Sequence, residues 1–234
     1  MPVVASAFGE AIRLLTTFDS ELVGIIVLSL EVSLSAVAIA TVIGLPAGAA
    51  LALYSFPGRR VVIILLNALM GLPPVVVGLF VYLALSRTGP LGSLELLFTP
   101  AAMVAAQTIL ITPIIAALTR QVVEDLWREY SEQMRSLGSG PRQAIGTLIW
   151  DGRYSLVTVL LAGLGRAMAE VGAVMIVGGN IAHATRVMTT AIALETSKGN
   201  LNLALGLGIV LMLLALLVNA GAFVVKEVAE RAHG

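Results

Sequence analysis

Apolar positions gather in five long runs along the chain, and the polar positions lie mostly between those runs rather than alternating with them. The runs cover residues 22–56, 61–86, 99–119, 155–177 and 201–225. Each is long enough to cross a bilayer, which takes roughly 20 residues at about 1.5 Å of rise per residue. The first carries one charge, Glu31, and holds Pro46 inside Gly44-Leu45-Pro46-Ala47-Gly48, so a tilt or a kink is expected near its end. The second and third are uncharged and contain Pro73-Pro74 and Pro113. In the fifth, the strongly polar members are Asn202 and Asn219. The fourth differs, because it sets Arg166 and Glu170 in apolar sequence. The pattern predicts an all-α integral membrane protein with five transmembrane helices per subunit.

Composition agrees with this. Of 234 residues 58% are hydrophobic and 12% are charged, too little charge for a water-facing surface. The 14 Lys and Arg balance the 14 Asp and Glu, so net charge points to neither nucleic acid nor an acidic partner. There is no cysteine, which excludes a disulfide framework and thiolate chemistry. The two histidines, His183 and His233, are separated by a complete apolar run, which argues against a histidine-built metal site, and no cofactor is expected. No Gly-x-x-x-x-Gly-Lys-Ser/Thr phosphate loop occurs, so energy from ATP must come from another polypeptide. Residues 1–20 lack the basic start, apolar core and small-residue cleavage site of a secretory signal.

The distribution of positive charge gives an orientation. Arg59, Arg60, Arg120, Arg128, Arg135, Arg142, Arg153, Lys226 and Arg231 fall on one side of the five runs, and Arg13, Arg87, Arg186 and Lys198 on the other. Lys and Arg are retained on the cytoplasmic side, so the N-terminus is expected outside and the C-terminus in the cytoplasm. The expected organisation is an extracytoplasmic segment at residues 1–20, a transmembrane domain at 21–228 with a cytoplasmic loop at 120–153, and a short cytoplasmic tail at 229–234. Within the first segment, Phe8, Ile12, Leu14, Leu15 and Phe18 stand among Glu10, Arg13 and Asp19. A short helix along the outer interface and a disordered tail both fit that pattern.

The cytoplasmic loop is too long for a turn. Leu126, Trp127, Tyr130, Met134 and Leu137 recur at helical spacing among Glu124, Asp125, Glu129, Glu132 and Arg135, which predicts an amphipathic helix. Gly138 suits a helix end that needs positive φ, and Pro141 can open a second helix. Asp151 before Gly152-Arg153 is expected to cap the helix of the fourth run. A rigid amphipathic unit of this kind would serve as a peg for a soluble partner.

Here the residues resemble a known family. Glu132-Gln133-Met134-Arg135-Ser136-Leu137-Gly138, followed by Leu148 and Trp150, is similar to the Glu-Ala-Ala…Gly…Ile-x-Leu-Pro loop of binding-protein-dependent ATP-binding-cassette (ABC) permeases. The departures are Gln133 and Met134 in place of the two alanines and Asp151 in place of the terminal proline. Ser29-Leu30-Glu31-Val32-Ser33 through Pro46, and Gly71-Leu72-Pro73-Pro74-Val75-Val76-Val77-Gly78, resemble the first two spans of sulfate, molybdate and tungstate permeases. Gly165-Arg166-Ala167-Met168-Ala169-Glu170-Val171-Gly172-Ala173, continued by Gly178-Gly179-Asn180-Ile181, resembles the Arg-Ala-x-x-Glu-x-Gly-Ala signature of molybdate and sulfate permeases. The stretch from Thr185 to Gly199 looks like the tungstate-type branch.

The resemblance implies a type I ABC importer permease fold with a cytoplasmic coupling helix, and no enzyme activity of the chain's own. It implies a homodimer enclosing one pathway in membrane lipid, two ABC ATPase subunits below and an extracytoplasmic oxyanion-binding protein outside. Tungstate is the implied substrate, with molybdate and sulfate as alternatives. Glu132, Met134, Arg135, Leu137 and Gly138 would couple the chain to the ATPase. Arg166 and Glu170, spaced i, i+4, fit an intrahelical ion pair, and equally a pair at the subunit interface that rearranges between states. Asn180, Thr185, Arg186, Thr189 and Thr190, with His183 nearby, could donate hydrogen bonds to a passing oxyanion or belong to a surface that docks the binding protein. A membrane-embedded enzyme or anchor with a partner-docking loop is the alternative function.

Overall fold

The computed structural model describes the backbone of residues 9–13, 16, 20–136, 138 and 140–233, and their side chains except at 141, 229, 230, 232 and 233. Its helices are α1 (Ser20–Leu53), α2 (Arg59–Leu69), α3 (Pro74–Leu85), α4 (Pro100–Ser136), α5 (Pro141–Asp151), α6 (Arg153–Met168), α7 (Gly172–Gly178), α8 (Met188–Ser197) and α9 (Leu201–His233). A single 3-10 turn, Gly92–Leu94, precedes α4, and no strand forms among the described residues.

Three of these helices, α1, α4 and α9, are each long and apolar enough to cross a membrane. The second and fourth apolar runs are instead helix pairs, α2 with α3 bent by 99° and α6 with α7 bent by 58°, and counting each pair as one span gives five. Local chemistry explains both breaks. Pro74 excludes the helical conformation at the residue before it, and Pro73 accordingly takes φ −65°, ψ 119°. Pro74 then opens α3 at a position where its missing N–H would have been unpaired. At the other break, Glu170 N tightens onto Ala167 O at 3.1 Å, and α7 restarts at Gly172, where a Cβ would lie 2.8 Å from Val75 Cγ2 on α3.

One helix continues past its apolar run, and one boundary differs from expectation. The helix of the third run extends beyond residue 119, because α4 continues unbroken to Ser136 and no Gly or Pro interrupts residues 114–136. Asp151 does not cap the fourth span. It is the last residue of α5, and Gly152 ends that helix, donating its N–H to Leu148 O at 2.8 Å. The turn falls at Gly152 because a side chain there would meet Leu126 Cδ1 at 2.9 Å.

The chain forms two compact units. The first comprises Met1–Ala36, Pro73–Gln107 and Gly165–Gly221; the second comprises Val37–Leu72, Thr108–Leu164 and Ala222–Gly234. In the first, Ala11, Leu22, Ile25, Met188, Ala191, Leu207 and Val210 make a core that joins α1, α8 and α9 to the helical residues 9–13. Residues 9–13 are helical, with Ala11 buried and Ile12 exposed, while Phe8, Leu14, Leu15, Phe18 and Asp19 lie outside the described set. In the second, Gly44 and Gly48 sit one turn apart on α1 and let α4 approach; a Cβ on Gly44 would lie 2.9 Å from Ile115 Cγ2. Pro46 between them is exposed, and α1 runs through it as one helix.

Candidate functional site

The hairpin within residues 120–153 is built from the end of α4 and all of α5. After Ser136 the chain reverses through Gly138 at φ 77°, with its N–H on Arg135 O at 3.0 Å. Gly140 caps α5, and its N–H donates to Gln143 Oε1 at 3.1 Å. Ala49, Ala52, Leu53, Val123, Ala144 and Leu148 form the buried core here, with Leu126, Trp127, Tyr130, Met134, Ile145 and Ile149 packed around it. The apolar face expected to await a partner is therefore covered by the chain itself. Left outward are Glu132, Gln133, Arg135, Ser136 and Gly138, together with Arg142, Gln143, Gly146, Thr147 and Trp150 on α5. Met134 is half-buried against the hairpin core, and Leu137 lies outside the described residues.

Ion pairs brace the hairpin's membrane end. Glu124 collects Arg120, Arg128 at 3.6 Å and Arg59 at 3.7 Å. Arg59 also donates from Nε to Leu51 O at 2.7 Å and from Nη2 to Ala52 O at 3.2 Å, satisfying carbonyls at the end of α1 that have no helical partner. At the start of α6 the Arg153 guanidinium stands 4.9 Å from the ring of Trp150 on α5, which is 70% exposed. No ion pair to Glu132 forms among the described residues.

Arg166 and Glu170 make an ion pair, with Arg166 Nη1 2.5 Å from Glu170 Oε2. Glu170 does not belong to a continuous helix; it stands in the break between α6 and α7. Its Oε1 accepts Ala173 N–H at 3.0 Å, closing the first turn of α7. Its backbone oxygen accepts from Thr189 Oγ1 at 2.8 Å, and Ala167 O accepts from Gln107 Nε2 at 3.2 Å. Gln107 was not singled out by sequence; the available signal was that it is the one amide side chain in the uncharged third run.

The loop between α7 and α8 turns its polar groups inward. Thr185 is buried, its hydroxyl donating to Gly178 O and accepting Ile181 N–H at 3.0 Å. Thr190 is buried and closes the start of α8, accepting Val187 N–H at 3.0 Å. Thr189 bonds the break in the fourth span as described, and Met188 N–H donates to Ser29 Oγ on α1 at 2.8 Å. Arg186 lies 3.1 Å from Glu21, which balances its charge. Asn180 and His183 are the loop's two non-glycine residues with positive φ, at 50° and 60°. At the end of α8, a hydrogen bond from Lys198 holds the Glu195 carboxyl below the usual range, and Asn200 adds to the effect against partial burial.

The sequence profile of the family described as binding-protein-dependent transport system inner membrane component matches residues 40–232. The chain belongs to this family. A probable anion ABC transporter permease protein of Haloferax volcanii is 43% identical over 85% of this chain and 88% of its own. The tungstate uptake system permease protein TupB of Peptoclostridium acidaminophilum is 39% identical over 97% of this chain and 100% of its own. The sulfate transport system permease protein CysW of a Synechocystis strain is 30% identical over 88% and 76%. This family member is thus a multi-pass membrane permease without an ATPase site, and its kind of transport requires an ABC ATPase and a substrate-binding protein.

Proposed function

We propose that the chain is the membrane permease of an importer for an oxyanion, tungstate before molybdate or sulfate, working as a homodimer on two ATPase subunits with its N-terminus outside. The observation that carries the reading is the hairpin: an α4–α5 unit whose apolar core is internal and whose outward rim at Glu132, Gln133, Arg135 and Ser136 is polar. A rim of this kind suits a soluble ATPase that must grip and release at each cycle, because partly polar interfaces reverse more readily than purely apolar ones. Glu132, Arg135 and Gly138 would make the grip directly, while Met134 and the adjoining Leu137 would set its shape. ATP-driven approach of the two ATPases would then move both hairpins together and switch the pathway between inward-facing and outward-facing states.

The anion assignment is supported by the likeness to the tungstate uptake permease and to the probable anion permease. The outer loop fits a shaped surface for the binding protein better than a row of donors, since Thr185, Thr189 and Thr190 already serve the backbone and Arg186 is neutralised by Glu21. The test is uptake of labelled tungstate, molybdate and sulfate into vesicles carrying the chain with its ATPase and binding protein. Tungstate-saturable, ATP-dependent uptake is expected, and uptake of sulfate alone would overturn the substrate assignment.

A further inference from the structure

The break in the fourth span has more polar company than an ion pair needs. Gln107 of α4 is 3% exposed, and its Nε2 donates to Ala167 O at 3.2 Å. Because that carbonyl can only accept, the amide orientation is fixed, and Oε1 must face the other way. Oε1 is buried, and no protein group among the described residues donates to it. Gln107 also lines a cavity of about 10 Å³, where Ser29, Ser33, Glu170 and Thr189 are its polar neighbours among apolar side chains such as Val32 and Leu211. A buried carbonyl oxygen without a donor is costly, so the cavity calls for a small donor. Its volume is close to that of one water, and its lining supplies the further polar partners a buried water needs.

We infer that this cavity is a binding site for a single water molecule, donated to Gln107 Oε1, and that Gln107 is a positioning residue for the fourth-span break. The broken helix leaves Ala167 O with only the tight turn's Glu170 N–H and Glu170 O with no backbone donor among the described residues. Gln107 meets the first and Thr189 the second. Glu170 closes the start of α7 and holds Arg166 at the same time. The water completes the set, so the bend keeps one geometry in an apolar surround where unpaired backbone would drive the span to straighten or fray. Transport that moves the fourth span then depends on Gln107, although Gln107 meets no substrate.

The dependence on transport rests on the importer reading; the water site does not. The test uses the assembled complex of permease, ATPase and binding protein in vesicles, with uptake and binding-protein-stimulated ATP hydrolysis measured from acid to alkaline pH. Gln107→Leu removes donor and acceptor at similar size, and about tenfold loss of both rates is expected while the complex still assembles. Gln107→Glu supplies the same donor and acceptor only while its introduced carboxyl is protonated. The charged groups that face it are Glu170 and, through Glu170, Arg166. Rates near wild type at acid pH, falling as pH rises while wild type stays level, are expected of this variant. A high-resolution structure of the complex should show ordered density within hydrogen-bond reach of Oε1. Wild-type rates for Gln107→Leu, or a level profile for Gln107→Glu, would overturn the positioning role, and the Glu variant decides should the Leu variant fail to assemble. A protein donor found on Oε1, or a dry cavity, would overturn the water site. Should wild type itself show no stimulated hydrolysis, the importer reading fails, and the density still decides the site.

Discussion

The α4–α5 hairpin and the loop between α7 and α8 are both polar interruptions between apolar helices, and they use their polar groups in opposite directions. In the hairpin, α4 and α5 are regular helices whose backbone is met by their own turns and by Gln143 at the start of α5, so Glu132, Gln133 and Arg142 face outward. Between α7 and α8 the chain is irregular, and its N–H and C=O groups need partners. Thr185 and Thr190 provide them, from buried positions. Polar residues in a membrane protein's loops are therefore available to a partner only where the local backbone makes no prior demand on them.

The largest effect that tests this contrast is on the hairpin rim. Glu132→Arg reverses an exposed charge with no ion pair among the described residues, so the purified permease should keep its thermal midpoint while capture of the ATPase subunit falls by about tenfold or more. A lowered midpoint with normal capture would make Glu132 part of the fold rather than of the docking surface.

Thr190→Val and Thr185→Val should do the reverse. Each leaves buried backbone groups without a partner and should lower the stability of the purified permease by about 1–2 kcal/mol, read as a shift of its melting midpoint. The concentration of loaded binding protein that half-saturates transport should not change. If that concentration rose instead, with melting unaltered, these hydroxyls would be contact groups after all.

The smallest expected effect is a pH dependence at the end of α8. The Lys198 hydrogen bond holds Glu195 below its ordinary pKa of 4.5, so the carboxylate's contribution is complete above that value and is lost as pH falls through the lower, folded one. Melting curves of Glu195→Gln should therefore differ from wild type at neutral pH by well under a kcal/mol, as for other exposed pairs, and converge with it in acid. Curves that diverge as pH falls would have the wrong sign.

Much of this was legible in the chain. The five apolar runs appear as helices or helix pairs, Gly138 adopts positive φ, Pro141 opens α5, and the family resemblance seen in residues 132–150 and 165–199 agrees with the matched profile. Other features were not legible because they depend on neighbours distant in sequence. Gln107 reads as one polar residue in a span until Ala167, 60 positions away, is beside it. Gly44 and Gly48 read as flanks of a kink until Ile115 shows that they admit another helix. The apolar face of residues 126–134 reads as an open surface until Ala144 and Leu148 cover it.

The sequence by itself determined that the chain spans a membrane, which apolar runs form its helices, and which family it resembles. Those follow from burial of apolar surface and from backbone chemistry within a few residues. Tertiary structure alone decided which polar groups remain available, because in an apolar surround every backbone group must find a partner, and the partners of Ala167, Glu170 and Met188 come from other helices.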